Sequence, residues 1–384
     1  MTKIASSDRM LETRANFPVL STSTYLVSHS MGAAPLQARG ALEQYWDEWA
    51  GDGPEAWERW LPRIAEIADG IGQIIGASPG SVFLGPNVSV LQAAIATCLP
   101  WNGLRNEVVY EALQFPSLTY VWREWERYGA VTRVVESPDG RTIPTERLVA
   151  AITERTAIAV VSHAYYVSGA VADVGAIQRR CNEVGALLCV DAYQTTGTYP
   201  YDVTALGLDL ATGGSHKWLC GGPGCAWLFV KPSLLRRFRP AVTGWMAHAS
   251  PFAFEPAPIA YADSMYRFGN GTPTIPGYVV AQPGHQFIAG LGVPAIREKN
   301  VRLTERIIAL ARERKLSIRS PLEADKRTGW IGIDFDDAGR ICRGLVARRV
   351  FVDYRPGCGI RIGPHFYTTD AEIDAFFETL DQLR

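Results

Sequence analysis

A mostly parallel α/β sheet flanked by helices, followed by a small α+β unit, is the fold class that this sequence predicts. Three observations lead there. Short apolar runs at 157–161, 186–190 and 226–230 have the length and composition of buried strands. Between the first two, Val174, Ile177, Cys181 and Val184 recur at helical spacing, and strand–helix–strand alternation builds parallel sheets. The 384 residues also exceed the roughly 250–300 at which one core stops growing, so a second, smaller unit is expected.

In chain order, the first chemical signal is Gly85-Pro86-Asn87-Val88-Ser89, a turn running into the apolar stretch Val90-Leu91-Gln92-Ala93-Ala94-Ile95. A helix N-terminus presents unpaired N–H groups and the positive end of the helix dipole, which is what a phosphate needs. The Val88 amide and the Ser89 side chain are the candidates, although an ordinary capped helix reads the same way. Next, the apolar run 108–110 leads to Phe115-Pro116-Ser117. The Phe115 ring could stack on a planar cofactor, core packing being its default use. The strand at 186–190 ends on Asp191, and functional residues of parallel sheets gather at such carboxyl ends. Then comes Gly214-Ser215-His216-Lys217-Trp218-Leu219-Cys220-Gly221-Gly222-Pro223-Gly224, with one lysine among small and apolar residues. From about Pro232 the character changes. Pro251, Pro256, Pro258, Pro273 and Pro276 mark turns, and a helix is expected around 293–315. Residues 328–384 alternate strand and helix and close with an amphipathic helix at 370–383.

Asp191 and Lys217 together suit an enzyme that binds an aromatic aldehyde, with Lys217 carrying pyridoxal 5′-phosphate (PLP) as a Schiff base. PLP is an electron sink while its ring nitrogen stays protonated, and a buried carboxylate beside that nitrogen raises its pKa. Asp191 fits that role. A lysine becomes nucleophilic when desolvation or a nearby cation lowers its pKa, and the setting of Lys217 permits both. Gly221, Gly222 and Gly224 let the backbone approach closely. Taken singly, Asp191 reads as a strand cap and Lys217 as a solvated loop charge; the order of phosphate turn, aromatic, aspartate and lysine adds the weight.

Composition narrows the class. A net charge of −1, from 38 basic and 39 acidic residues, gives no bias toward nucleic acid or membrane. No apolar run reaches the roughly 18 residues of a membrane span, and Met1–Asp8 lacks a signal-peptide core, so a cytoplasmic enzyme is expected. The seven cysteines are scattered without a CxxC pair, which indicates neither a disulfide framework nor a metal site.

The order of these signals resembles fold type I PLP-dependent enzymes and, within them, the class V aminotransferase superfamily, over essentially the whole chain. Several segments resemble the kynureninase family in particular. Tyr25-Leu26-Val27-Ser28-His29-Ser30-Met31-Gly32 is similar to its N-terminal YLDGNSLG segment, and Phe115-Pro116-Ser117 to its FPSD or FPTD. Gly244-Trp245-Met246-Ala247-His248 with Pro251-Phe252-Ala253-Phe254 is similar to its GW…H…PFAF stretch. Gly271-Thr272-Pro273, and Asp353-Tyr354-Arg355 with Ile360-Arg361-Ile362, match two further segments. The resemblance implies a homodimer with shared active sites, in which Trp245 and Thr272 reach the cofactor phosphate of the neighbouring subunit. It also implies that Arg361 holds the substrate α-carboxylate in a bidentate pair, which lysine could not reproduce. The division it implies is 1–35 as an N-terminal segment serving the small domain and the active site, 36–290 as the large PLP-binding domain, and 291–384 as the small C-terminal domain.

Three positions depart from the kynureninase pattern. Leu118 stands where that family has aspartate, Gln194 where it has histidine, and His216 where it has tyrosine. Gln194 and Ser215-His216-Lys217 are similar instead to cysteine desulfurases, and His216-Lys217-Trp218-Leu219-Cys220 to isopenicillin N epimerase-like members. Gln194 could still donate to the cofactor's phenolate oxygen, and Ser215 and His216 to its phosphate. The resulting expectation is a PLP enzyme acting on an L-amino acid by kynureninase-like hydrolytic Cβ–Cγ cleavage that releases alanine. The alternatives are desulfurase chemistry, for which Cys358 is the one positional candidate thiol, C–S lyase chemistry, which needs no such thiol, aminotransfer or epimerisation, and a non-catalytic PLP-binding protein. Trp46, Trp49, Trp57 and Trp60 are expected mainly to pack helices, with some available to line an aryl pocket.

Overall fold

The computed structural model describes residues 9–256 and 258–384. The segment Met1–Asp8, read above for a signal peptide, lies outside the described residues. After a two-residue strand β1 (Thr24–Tyr25), the main sheet is built from β2 (Val82–Gly85), β3 (Glu107–Glu111), β4 (Val131–Val135), β5 (Thr156–Ser162), β6 (Leu187–Asp191), β7 (Leu210–Gly214) and β8 (Ala226–Val230). Its order is β2-β8-β7-β6-β5-β3-β4. The β7–β6, β6–β5, β5–β3 and β3–β4 pairs are parallel, while β8 runs antiparallel to both of its neighbours. The short connection explains β8. Residues 215–225 are too few for a helical crossover, so the strand turns back on β7.

Both faces of this sheet are covered, and the strands show why their sequences are continuously apolar. Val109, Ala159, Val161, Leu188 and Val190 point into one core cluster, whereas Val108, Tyr110, Ile158, Val160, Leu187 and Cys189 point into another. Successive residues alternate faces, so two buried faces demand apolar residues at every position. The helices Trp57–Ile75 and Ile275–Leu291 pack together over the first face. The helix Val88–Ala96 contributes Leu91, Ala94 and Ile95 to the second.

A second sheet, ordered β12-β13-β10-β9, consists of β9 (Ser317–Ile318), β10 (Ile331–Asp334), β12 (Asp353–Arg355) and β13 (Gly359–Ile362). It shares a third core cluster with the long helix Val293–Glu313 and the closing helix Asp370–Leu383, through Leu303, Ile307, Ile333, Ile360, Phe376 and Leu380. Thr369 and Glu372 form a capping box that starts the closing helix. The N-terminal segment joins this unit. Leu26 is fully buried in the third cluster, and β1 pairs in parallel with β11 (Val350–Phe351).

Two aromatic expectations separate here. Trp60 is buried and donates to Glu48 at 2.8 Å, but Trp46 and Trp49 are 60% and 53% exposed on the helix Gln37–Asp52. None of the four N-terminal tryptophans lines the cavity described next.

Candidate active site

The carboxyl ends of β5 and β6 meet at their last register step, where Ser162 pairs with Asp191. Beyond that edge lies a cavity of about 190 Å3, walled by residues from the turn before the helix Val88–Ala96, the β6 end and the β7–β8 connection. Lys217 enters from that connection. Its Nζ stands 4.6 Å from the Tyr193 ring centroid and 5.5 Å from that of Phe115. Surrounding protein lowers its pKa to about 8, with Arg361 adding to the shift and Asp191 opposing it. Asp191 is buried, and its Oδ1 accepts the Tyr193 amide at 3.0 Å. Burial raises it to about 6 against the pull of that amide and of Lys217. No ion pair joins Lys217 and Asp191 among the described residues, so each keeps its charge available to a bound group.

The backbone makes the room. A Cβ at Gly214 would lie 1.8 Å from the Tyr193 hydroxyl, so only glycine lets that ring cross the end of β7. Tyr193 Oη then lies 3.4 Å from His216 Nδ1. Burial, with Lys217 beside it, lowers His216 to about 4, so the ring is neutral and can donate without adding charge.

The turn before the helix Val88–Ala96 supplies anion-binding capacity. Asn87 is the N-cap, and its side chain accepts from the Val90 amide at 3.0 Å. That leaves the Val88 and Ser89 amides unpaired among the described residues at the cavity wall. Gln194 donates to the His29 carbonyl at 3.2 Å, while its Oε1 is buried without a partner.

Of the residues singled out from sequence, Val88, Ser89, Phe115, Leu118, Asp191, Gln194, His216 and Lys217 all face this cavity. Ser215 does not. It is fully buried behind the wall, and its Oγ lies 2.8 Å from His285 Nε2. Thr272 lines a separate cleft of about 90 Å3 with Gly85 and Pro86. Trp245 packs edge-on against Trp57 and Phe252. Arg361 lies beside the cavity, its Nη1 donating to the carbonyl of Tyr166, a wall residue, at 3.0 Å. Its Nε and Nη2 are held by Asp353 at 2.8 and 2.5 Å. Sequence reasoning did not single out Tyr166, Ser162 or Ser117 as wall residues, and it passed over Tyr193 although that residue lies between Asp191 and Gln194.

Glu111, at the end of β3, was also missed. Its Oε1 accepts the Ser162 amide at 2.8 Å, Oε2 has no partner, and burial raises it to about 7. A carboxyl raised in the fold favours the folded state below its unfolded pKa, and that contribution is lost as pH rises through about 7. Glu111→Gln is therefore expected to gain about 2–3 kcal/mol relative to the parent between pH 5 and pH 8. Denaturant unfolding at both pH values checks this; a difference that does not vary with pH would contradict it.

A buried low-pKa lysine, a strand-end aspartate, a facing aromatic ring and a helix N-terminus around one cavity define a PLP-dependent enzyme of fold type I. Residues 25–376 match the family described as Aminotransferase class-V, and the chain belongs to that family. It is 30% identical over 360 residues to the uncharacterized aminotransferase YcbU of Bacillus subtilis (strain 168), covering 94% of each chain. It is 27% identical over 385 residues to a kynureninase of Pseudomonas fluorescens, covering 96% of this chain and 91% of that one. Among solved structures, the complex of the cystine C–S lyase C-DES with cysteine persulfide superposes with a TM-score of 0.85 at 19% identity, over 95% of this chain and 98% of that one. The cysteine desulfurase of Thermococcus onnurineus NA1 gives 0.85 at 17%, over 97% of each chain. At those identities the structures bear on the fold alone.

The cofactor is PLP, and the residues present fit it. Lys217 would hold its aldehyde carbon, Asp191 its ring nitrogen, Phe115 a ring face, and the Val88 and Ser89 amides its phosphate. When bound, PLP supplies an electron sink conjugated to the substrate Cα. No helix of the described residues is long and apolar enough to cross a membrane.

Proposed function

We propose that this enzyme hydrolyses the Cβ–Cγ bond of an L-amino acid carrying a γ-carbonyl, in the manner of the kynureninases. The observation that carries the reading is the make-up of the cavity wall. It combines Lys217, two phenols, Tyr166 and Tyr193, and the apolar side chains of Phe115, Leu118, Val88 and Ala164 with polar groups that include Ser89, Ser117, Ser162, Gln194 and His216; Arg361 lies beside it, and no cysteine lines it among the described residues. Whole-length similarity to kynureninases supports it.

Each residue then has a task. Arg361 binds the α-carboxylate through its remaining N–H groups. Neutral Lys217 Nζ takes the proton from Cα, and Asp191 keeps a proton on the cofactor's ring nitrogen. Water adds its oxygen to Cγ, the Cβ–Cγ bond breaks with its electron pair going to Cβ, and Cβ takes a proton. The products are alanine and a carboxylic acid. Tyr166 and Tyr193 are the two phenols of the wall and are proposed as partners of the side-chain carbonyl. Cys358 is fully buried outside this wall, its Sγ 3.8 Å from the Pro356 carbonyl, and burial raises its pKa.

We also propose the homodimer. Trp245 and Thr272 lie away from their own cavity, Thr272 in a separate cleft and Trp245 beside Phe252 and Phe254, which are 52% and 74% exposed. A partner seated there would cover these rings and bring Trp245 and Thr272 toward its own cofactor phosphate. The division at residues 35 and 290 is proposed with it, supported by the separate third core.

PLP-loaded protein incubated with L-kynurenine and 3-hydroxy-L-kynurenine is expected to release alanine with anthranilate or its hydroxy form, followed by chromatography with mass detection. Absence of both, with pyruvate released from L-cystine instead, would replace this reading by the C–S lyase one.

A further inference from the structure

His29 takes no part in the chemistry above, yet it is one of the most enclosed polar groups of the chain. Its ring is fully buried beside Trp330 and Trp218, with centroids 5.7 and 6.4 Å away. The space is made by Gly363, where a Cβ would come within 2.3 Å of His29 Nδ1. His29 Nε2 lies 2.9 Å from Asp353 Oδ1, and its backbone carbonyl accepts from Gln194 in the cavity wall. Burial lowers its pKa to about 4, so the ring is neutral and donates Nε2–H to the carboxylate. Asp353 is held well below the usual carboxylate range by His29 and Arg361 despite its burial, and it remains the anion of the pair.

We propose that His29 is a positioning residue for the substrate carboxylate: it pins Asp353 to one edge of the Arg361 guanidinium and so keeps the remaining donors open and fixed in direction. The inference rests on the reading that Arg361 binds the α-carboxylate. A guanidinium has five N–H groups. Asp353 takes two and the Tyr166 carbonyl one. Two are left, which is what a bidentate carboxylate uses. Asp353 is also the substrate's nearest competitor, since a carboxylate free to turn could claim those two donors itself. Its Oδ1 meets Arg361 Nε and His29 Nε2 together only when it stays on the Nε side. The neutral ring adds this restraint without adding charge. It also ties the N-terminal segment to β12 and β13, so the substrate fork is set from the segment that reaches Gln194.

The test compares affinities that differ only by the carboxylate. PLP-loaded wild type, His29→Gln and His29→Leu are each titrated with L-alanine and with ethylamine, following cofactor absorbance. The ratio of the two Kd values isolates the carboxylate's share. In the wild type, ethylamine is expected to bind at least about 100-fold more weakly. In His29→Leu the ratio is expected to fall about tenfold, with the ethylamine Kd unchanged. His29→Gln, whose amide nitrogen can replace Nε2, is expected to keep the ratio within about threefold. A wild-type ratio retained in His29→Leu overturns the proposal and leaves the role of Arg361 intact. A ratio near unity in the wild type overturns the role of Arg361 and the proposal with it. If circular dichroism shows that His29→Leu does not fold, His29→Met is read in its place by the same criterion.

Discussion

Lys217→Ala is expected to lower turnover by about 10⁴-fold or more and to remove the visible absorbance of the bound cofactor. Two functions disappear together: the covalent anchor and the base that takes the α-proton, the second alone being worth about 10²–10⁴-fold. The fold should persist, because Lys217 makes no ion pair among the described residues and its removal leaves no charge unpaired. Single-turnover kinetics, absorbance and a melting curve separate these effects; a variant that keeps both its spectrum and its turnover would contradict the assignment. The same residue sets a pH dependence. Only neutral Lys217 can accept a proton, and its pKa is lowered to about 8. The rate is therefore expected to rise with pH up to about 8 and then level off.

Asp191→Asn is expected to lower turnover by about 10–10³-fold while PLP still binds. An adjacent carboxylate shifts the pKa of a cationic partner by about one to three units, and each unit is a factor of ten in the population of the protonated ring. Asn accepts the Tyr193 amide in the same way, so the local backbone should hold. Asp191→Glu keeps the charge, and recovery of part of the rate there would tie the loss to charge rather than to packing. Equal rates in the Asn variant and the wild type would remove Asp191 from the cofactor's environment.

Most of the fold is legible in the sequence because doubly buried strands must be apolar throughout. The runs at 157–161, 186–190 and 226–230 fall within a residue of β5, β6 and β8, and the helices expected at 293–315 and 370–383 are found at Val293–Glu313 and Asp370–Leu383. The strand β7 is not legible. Its sequence Leu-Ala-Thr-Gly-Gly has no apolar run, because a Cβ at Gly213 would meet the Trp227 ring at 2.4 Å and one at Gly214 would meet Tyr193. Those glycines are dictated by partners distant in sequence. The site divides along the same line. Asp191 and Lys217 announce themselves by residue type and local setting, and Val88 and Ser89 by a turn into a helix. The engagement of Ser215 by His285 and the chain His29–Asp353–Arg361 depend on side chains brought together from separate segments, which no local pattern encodes.

The identity of the lysine that holds the cofactor is the central property of this site. The chain has six lysines, so borohydride reduction of the PLP-loaded protein followed by peptide mass mapping gives an unambiguous answer. Lys299 is the natural competitor, because burial also lowers it to about 8, but its Nζ is committed to the Phe366 carbonyl, away from any strand-end aspartate. A phosphopyridoxyl group on the Lys217 peptide alone is the predicted result; finding it on Lys299, or on any other lysine, would contradict the site described here.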